Sequence, residues 1–177
     1  MHIFSEIRIL KGNTKGIVFI LLFRISNFFT KNFIYRVIGF PFRIFYKFFV
    51  QWILGIDIPD STKIGFGFNV YHGQGLIINN SVIFGEKITI RQNTTIGNST
   101  KNGRCPVIGN HVNIGANVVI IGDIEIGDYS VIGAGSVVIK DVPEKSVVAG
   151  NPARIIRRLK KKLRNNYNLL ILKIKNI

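Results

Sequence analysis

Residues 108–138 read IGNHVNIGANVVIIGDIEIGDYSVIGAGSVV, and this stretch decides the fold. An aliphatic residue opens every sixth position: Ile108, Ile114, Ile120, Ile126, Ile132 and Val138. The series extends backwards through Ile96, Ile90, Phe84 and Ile78, and only Asn102 breaks it. With 47% of the chain apolar, chance would fill about half of these positions, so the repeat is a property of the sequence. The fourth residue after each is β-branched or small, as at Val112, Val118, Ile124, Ser130 and Ser136. Glycine often follows the aliphatic, as at Gly109, Gly115, Gly127 and Gly133.

A period of six fits neither an α-helix nor a hairpin sheet. It fits a short strand followed by a corner, with one aliphatic side chain per strand directed inward. Three such strands close a triangular coil, and stacked coils make a β-solenoid. Its first coil opens around Ile58, with Ile64 and Val70 in step.

Two breaks in the ladder stand out. Val70 and Ile78 are eight apart rather than six, so two extra residues enter within Tyr71-His72-Gly73-Gln74-Gly75-Leu76-Ile77. Breaks of this kind re-aim side chains, which makes His72 a candidate for chemistry. On its own, a loop histidine is more often structural or solvated. The second break, Asn98 to Pro106, is polar and turn-rich and predicts a protruding loop carrying Arg104 and Cys105.

The formal charge of +15 is unevenly spread. Residues 1–55 carry eight Lys/Arg against one acid, residues 56–150 seven against eight, and residues 151–177 nine against none. Basic flanks on a neutral middle suit a phosphorylated ligand or a membrane surface. No recognised nucleic-acid module accompanies them, so no nucleic-acid partner is expected. A single cysteine excludes an internal disulfide framework and fits a reducing compartment. The apolar run Gly16–Phe23 ends at Arg24, too short to span a bilayer and without a signal-type cleavage site. The expected location is cytoplasmic, with peripheral contact at the inner face of the cytoplasmic membrane.

Three segments are therefore expected: N-terminal amphipathic helices over 1–55, the solenoid over 56–152, and a basic C-terminal helix or tail over 153–177. Short helices fit 3–11 and 15–29. In the aromatic segment Phe33–Leu54, Gly39-Pro41 marks a new helix or a kink. Arg36, Arg43, Lys47 and Gln51 fall on one helical face. A narrow polar stripe on an aromatic helix fits a membrane-surface helix, and equally a cap that buries its aromatics on the solenoid or a neighbouring subunit.

The six-residue repeat, the ending Gly150-Asn151-Pro152-Ala153-Arg154, and Asp57 with His72 fifteen apart resemble the hexapeptide-repeat acyltransferases. Within them the likeness is to the serine acetyltransferase branch and, more narrowly, to the capsule and colanic-acid type O-acetyltransferases. The Tyr-His-Gly-Gln-Gly string and the aromatic, basic N-terminal helices carry that narrower likeness.

The resemblance implies a left-handed parallel β-helix, a homotrimer, and acetyl-CoA lying between neighbouring prisms, with no metal. It implies His72 as catalytic base and Asp57 as its carboxylate partner. For acetyl-CoA it points to Gly115, Ala116, Gly133, Ala134, Pro152, Ala153 and Arg154, with Arg157 and Lys160 available to the phosphates. Tyr71, Gln74, Arg104 and Cys105 fall to the acceptor.

Two departures bear on that acceptor. Tyr71 stands where the serine branch has an acid, and Cys105 stands where it has a histidine. The implied activity is therefore transfer of acetyl to a sugar hydroxyl of a surface polysaccharide or its precursor. The alternatives are a serine O-acetyltransferase and a non-catalytic trimeric β-helix scaffold.

Overall fold

The computed structural model describes residues 3–10 and 12–159. From Ile56 onward the chain winds into a three-faced prism of parallel strands. Face A stacks β1 (Ile56–Asp57), β4 (Leu76–Ile78), β7 (Thr95–Gly97), β10 (Val119–Ile121) and β13 (Val137–Val138). Face B stacks β2 (Lys63–Ile64), β5 (Ile83–Phe84), β8 (Val107–Ile108) and β11 (Glu125–Ile126). Face C stacks β3 (Asn69–Tyr71), β6 (Thr89–Arg91), β9 (Asn113–Ile114), β12 (Val131–Ile132), β14 (Ser146–Gly150) and β15 (Ala153–Arg158).

The six-residue ladder is the core. Ile78, Phe84, Ile90, Ile96, Ile108, Ile114, Ile120, Ile126, Ile132 and Val138 are all buried. So are the second-row residues Val82, Ile88, Thr94, Val112, Val118, Ile124, Ser130, Ser136 and Val142. The polar members of that row are satisfied where they turn. Ser130 Oγ donates to the carbonyls of Gly127 and Pro143, and Ser136 Oγ donates to Gly133. At Asn102 no strand is missing. The loop 98–106 adds six residues at the corner between β7 and β8, and both strands keep their places on faces A and B.

Four helices precede the prism: α1 (Ile3–Ile9), α2 (Thr14–Phe28), α3 (Phe33–Ile38) and α4 (Phe40–Tyr46). The break falls at Gly39, with Pro41 in the first turn of α4. A π-helical turn, Lys47–Ile53, continues α4 into β1, and no periodicity in the sequence announced it. Phe19, Ile20 and Phe23 of α2 are buried together with Phe68 and Tyr46.

The helices also satisfy the open end of the first coil. Arg24 donates to the carbonyls of Ile64 and Gly65, Asn13 to that of Val70, Tyr46 to that of Ile58 and Asn27 to that of Asp60. Glu6 holds Arg24 at 2.8 Å and accepts from the Gly67 amide.

Two members of the polar stripe turn toward the first coil, while Arg36 and Lys47 stay exposed. Arg43 pairs with Asp60 at 2.7 Å, and Gln51 donates to Asp57 Oδ1 at 3.0 Å. Arg36, on the separate helix α3, donates instead to the Thr30 carbonyl.

The far end departs from expectation as well. Residues 153–158 form an antiparallel strand, β15, on β14, and no helix starts at Arg154. The last parallel strand of face C needs a hydrogen-bonding partner, and the chain supplies one by doubling back. The expected helix beyond Leu159, with Lys160, lies outside the described residues.

Removing one partner of a buried ion pair leaves the other charged and unpaired, at about 3–5 kcal/mol. Arg24→Ala strips Glu6 of its ion-pair partner and also releases two first-coil carbonyls. Its unfolding free energy in urea falls by about that amount, and an unchanged midpoint contradicts this account of the cap.

Candidate active site

The two residues inserted after Val70 are His72 and Gly73. At the corner between faces C and A the backbone ladder runs from Gly75 to Gly55, Asn93 to Gln74, Asn117 to Gln92 and Gly135 to Ala116. Gln74 and Gly75 thus occupy the regular corner positions, and His72-Gly73 is the surplus. Both have positive φ, 65° and 73°, and the Gly73 amide donates back to the Tyr71 carbonyl. A Cβ on Gly73 would lie 2.7 Å from Ile56 Cδ1 and 2.9 Å from Val70 Cγ1. The glycine is tucked inward, and the exposed His72 is lifted off the prism edge.

Asp57 lies on β1, in register with Ile77 of the strand that leaves this corner. Both Asp57 and His72 are exposed. No hydrogen bond joins them, and among the described residues the His72 ring has no partner. Asp57 Oδ1 accepts from Gln51, which leaves Oδ2 free.

Tyr71 closes β3 beside His72, with the Arg91 guanidinium 5.8 Å from its ring centre. Arg91 donates to Asn113 Oδ1 and the Ile114 carbonyl, and burial lowers its pKa. Neither Arg91 nor Gln51 was singled out as a site residue from sequence. Their proximity depends on coil register and on the direction of the helical stripe.

The candidate cofactor residues share the His72 edge. Gly115-Ala116 and Gly133-Ala134 form the same corner two and three coils further on, about 10 and 14 Å along the prism at about 4.8 Å per coil. A Cβ on Gly115 would meet the Ala134 amide nitrogen at 2.6 Å, and one on Gly133 would meet Ala149 Cβ at 2.8 Å, so coil stacking already demands both glycines. The hairpin turn at Pro152 adds the next step, because Gly150 pairs with Ala153 and Ala149 with Arg154. The corner residues are small at Gly115-Ala116, at Gly133-Ala134 and at the Ala153 turn, while the second coil places Arg91 and Gln92 between them and His72. Arg157 pairs with Val147 and recedes along β15 from that edge. As a strand residue it shares no helical face with Arg154.

Arg104 and Cys105 do not join the site within one chain. Their loop leaves the corner between faces A and B, across face A from His72. Arg104 makes only an exposed contact with Asp123, 3.7 Å long. Cys105 is buried, and that burial raises its pKa and disfavours the thiolate. Gln74 is exposed at the corner, and its carbonyl is taken by Asn93. Among the described residues no cluster of His, Cys, Asp or Glu could hold a metal ion.

The family model for bacterial transferase hexapeptide (six repeats) matches residues 105–140. The putative colanic acid biosynthesis acetyltransferase WcaB of Escherichia coli K12 is 37% identical over 141 residues, covering 77% of this chain and 87% of that protein. The chain is a hexapeptide-repeat acetyltransferase. Serine acetyltransferase 2 of Arabidopsis thaliana is 42% identical over 110 residues, 61% of this acetyltransferase and 34% of that protein. Among solved structures, the serine acetyltransferase of Brucella abortus in complex with coenzyme A superposes with a TM-score of 0.71 and 31% identity. That match covers 82% of this chain and 57% of the Brucella chain. The acetyltransferase shares their left-handed β-helix.

Gly73→Ala tests the corner. It forces a Cβ into Ile56 at a positive φ and shifts His72, and a displacement near 1 Å costs about 100-fold in turnover. Acetyl transfer falls by about that factor while coenzyme A affinity holds. Undiminished turnover removes the link between the insertion and chemistry.

Proposed function

We propose that this acetyltransferase moves the acetyl group of acetyl-CoA onto a hydroxyl of a saccharide, a surface polysaccharide or its precursor. The observation that carries the reading is the placement of His72 on the prism edge that carries the small corners Gly115-Ala116 and Gly133-Ala134 further on, with Asp57 on the adjoining strand. A hydroxyl is a weak nucleophile at neutral pH and needs a base as it attacks. His72 takes the hydroxyl proton as the oxygen bonds to the thioester carbonyl carbon. The tetrahedral centre then collapses, the C–S bond breaks, and the proton passes to the departing sulfur. The free oxygen of Asp57 orients the imidazole and stabilises its charged form, through a contact that forms once acceptor is bound. Direct transfer needs no acyl-enzyme, and burial disfavours the Cys105 thiolate that would be needed to form one.

Arg154 meets the cofactor phosphates at the far end of the edge. Arg157, set back on β15, is the outer of the two. The acceptor is flanked by Tyr71 and Gln74 from the corner, with Arg104 and Cys105 brought in by a neighbouring copy. Those last two stand on another edge of the same prism, which favours a homotrimer with sites between subunits. Tyr71 and the guanidinium of Arg91 occupy the place from which the serine enzymes hold an ammonium group, and this favours a sugar over serine.

The helices hold the enzyme at a membrane surface. Phe33, Ile34, Ile38, Phe40 and Phe48 are each more than half exposed, with Lys31 and Arg36 nearby. That surface fits the headgroup boundary of an anionic bilayer. Among the described residues no helix is long and apolar enough to cross a membrane.

Thiol release from acetyl-CoA, followed with L-serine and with neutral oligosaccharides, separates the acceptors. Turnover is expected with a saccharide and not with serine, and His72→Ala lowers it by about 100- to 10,000-fold with coenzyme A binding kept. Rapid turnover on serine alone overturns the acceptor assignment. In a second measurement the protein co-sediments with phosphatidylglycerol vesicles at low salt, and Phe40→Ser with Phe48→Ser reduces the bound fraction at least several-fold. Failure to sediment assigns the aromatic surface to packing between subunits.

A further inference from the structure

An open pocket of about 770 Å³ lies between the helical segment and the first coil. Lys47, Gln51 and Trp52 line it from the helical segment, and Asp57 and Asp60 line it from the first coil, with Arg43 paired to Asp60. The carboxylate proposed to orient His72 is thus part of the pocket lining. The helical turn that lines the pocket ends at Ile53, and two residues on the Gly55 carbonyl accepts from the Gly75 amide, which ties this segment to the His72 corner. Trp52, the single tryptophan of the chain, is 77% exposed. An indole left bare beside an amide, an ammonium and a carboxylate offers a flat apolar plate ringed by hydrogen-bonding groups. Few ligands match that combination. A pyranose ring does, with a C–H face for the plate and equatorial hydroxyls for the rim.

We infer that this pocket is the acceptor subsite for a pyranosyl unit, stacked on Trp52 with its hydroxyls on Gln51, Lys47 and Asp57. The inference rests on the proposed roles of His72 and Asp57. It adds where the acceptor sits and which helical residues recognise it. Gln51 has a double part, since the amide that meets the sugar also fixes Asp57 Oδ1 and leaves the other oxygen toward His72. The Arg43–Asp60 pair ties α4 to the first coil and so holds the two sides of the pocket together. The ring's source can be a free saccharide or the headgroup of a membrane-borne glycolipid, and both present the same chemistry to the pocket.

The single tryptophan makes the test direct. Titrating the full-length protein with methyl β-D-glucopyranoside, methyl β-D-galactopyranoside and methyl α-L-fucopyranoside is expected to give a saturable change in tryptophan emission with at least one of them. Lys47→Ala weakens that response at least fivefold. A polyprenyl-phosphate glucoside in detergent micelles, blanked against empty micelles, identifies a lipid-borne source if it saturates at lower concentration. The free glycoside saturating equally well identifies a soluble one, and either result supports the subsite. In the transfer assay, Trp52→Ala raises the acceptor KM at least tenfold and leaves the acetyl-CoA KM within twofold. Emission indifferent to every pyranoside, glycolipid included, overturns the subsite. So does an acceptor KM unchanged in Trp52→Ala, while saccharide acetylation by the parent protein keeps the broader reading standing. Acetylation of serine but of no saccharide overturns both.

Discussion

A stack of parallel coils satisfies its own backbone everywhere except at its two ends, and those ends govern the rest of this molecule. Each interior coil pairs its amides and carbonyls with the coils before and behind it. The first coil has no predecessor, and its carbonyls face the helical segment. Five of them, at Ile58, Asp60, Ile64, Gly65 and Val70, accept from side chains of the N-terminal helices. A capping segment under that demand must turn its polar side chains toward the prism. Its aromatic residues then have two fates. Phe19, Phe23 and Tyr46 close the core, where burial beside Asp60 and Asp57 raises the Tyr46 pKa well above normal. Others, such as Phe33, Phe40 and Phe48, are left outside. An apolar outer surface is thus a consequence of capping, and it is available for a second use.

The same logic operates at the active-site edge. Corners between faces C and A repeat with a left-handed residue at Asn93, Asn117 and Gly135, and the first corner differs by two residues only. That small insertion is enough because the scaffold on either side does not yield. Ile56 and Val70 pin Gly73 from below, and the corner ladder resumes at Gln74. A rigid repeat with one irregular step gives a side chain a defined place outside the core without disturbing core packing.

Legibility followed from how local each signal was. The six-residue ladder is periodic, so the inward residues from Ile78 to Val138 are legible in the sequence alone. The insertion that carries His72 shows as a spacing of eight. The break between α3 and α4 shows as Gly39 followed by Pro41. The orientation of the polar stripe was not legible, because the spacing of Arg43, Lys47 and Gln51 defines a face and not what that face meets. Arg154 and Arg157 looked helical from their basic surroundings, yet an unpaired strand edge on face C outweighed that preference. Arg91 was invisible for a third reason. It meets Tyr71 through a pairing twenty residues apart that only the coil register creates.

That pairing also bears on the choice between sugar and amino acid. Among the described residues no carboxylate pairs with Arg91, whose contacts are an amide oxygen and a backbone carbonyl, and burial already works against its charge. An ammonium group placed at Tyr71 would stand about 6 Å from this guanidinium and repel it by about 3 kcal/mol at an effective dielectric of about 20. That is a factor of more than about 100 in binding, in the direction opposite to the attraction a carboxylate would supply there. A neutral hydroxyl-bearing ring meets no such penalty, and its lone pairs gain from a nearby donor. The exchange of an acid for Tyr71 therefore does more than remove an attractive contact for serine. Together with Arg91 it puts a cation, where the serine enzymes have an acid, beside the residue that precedes His72.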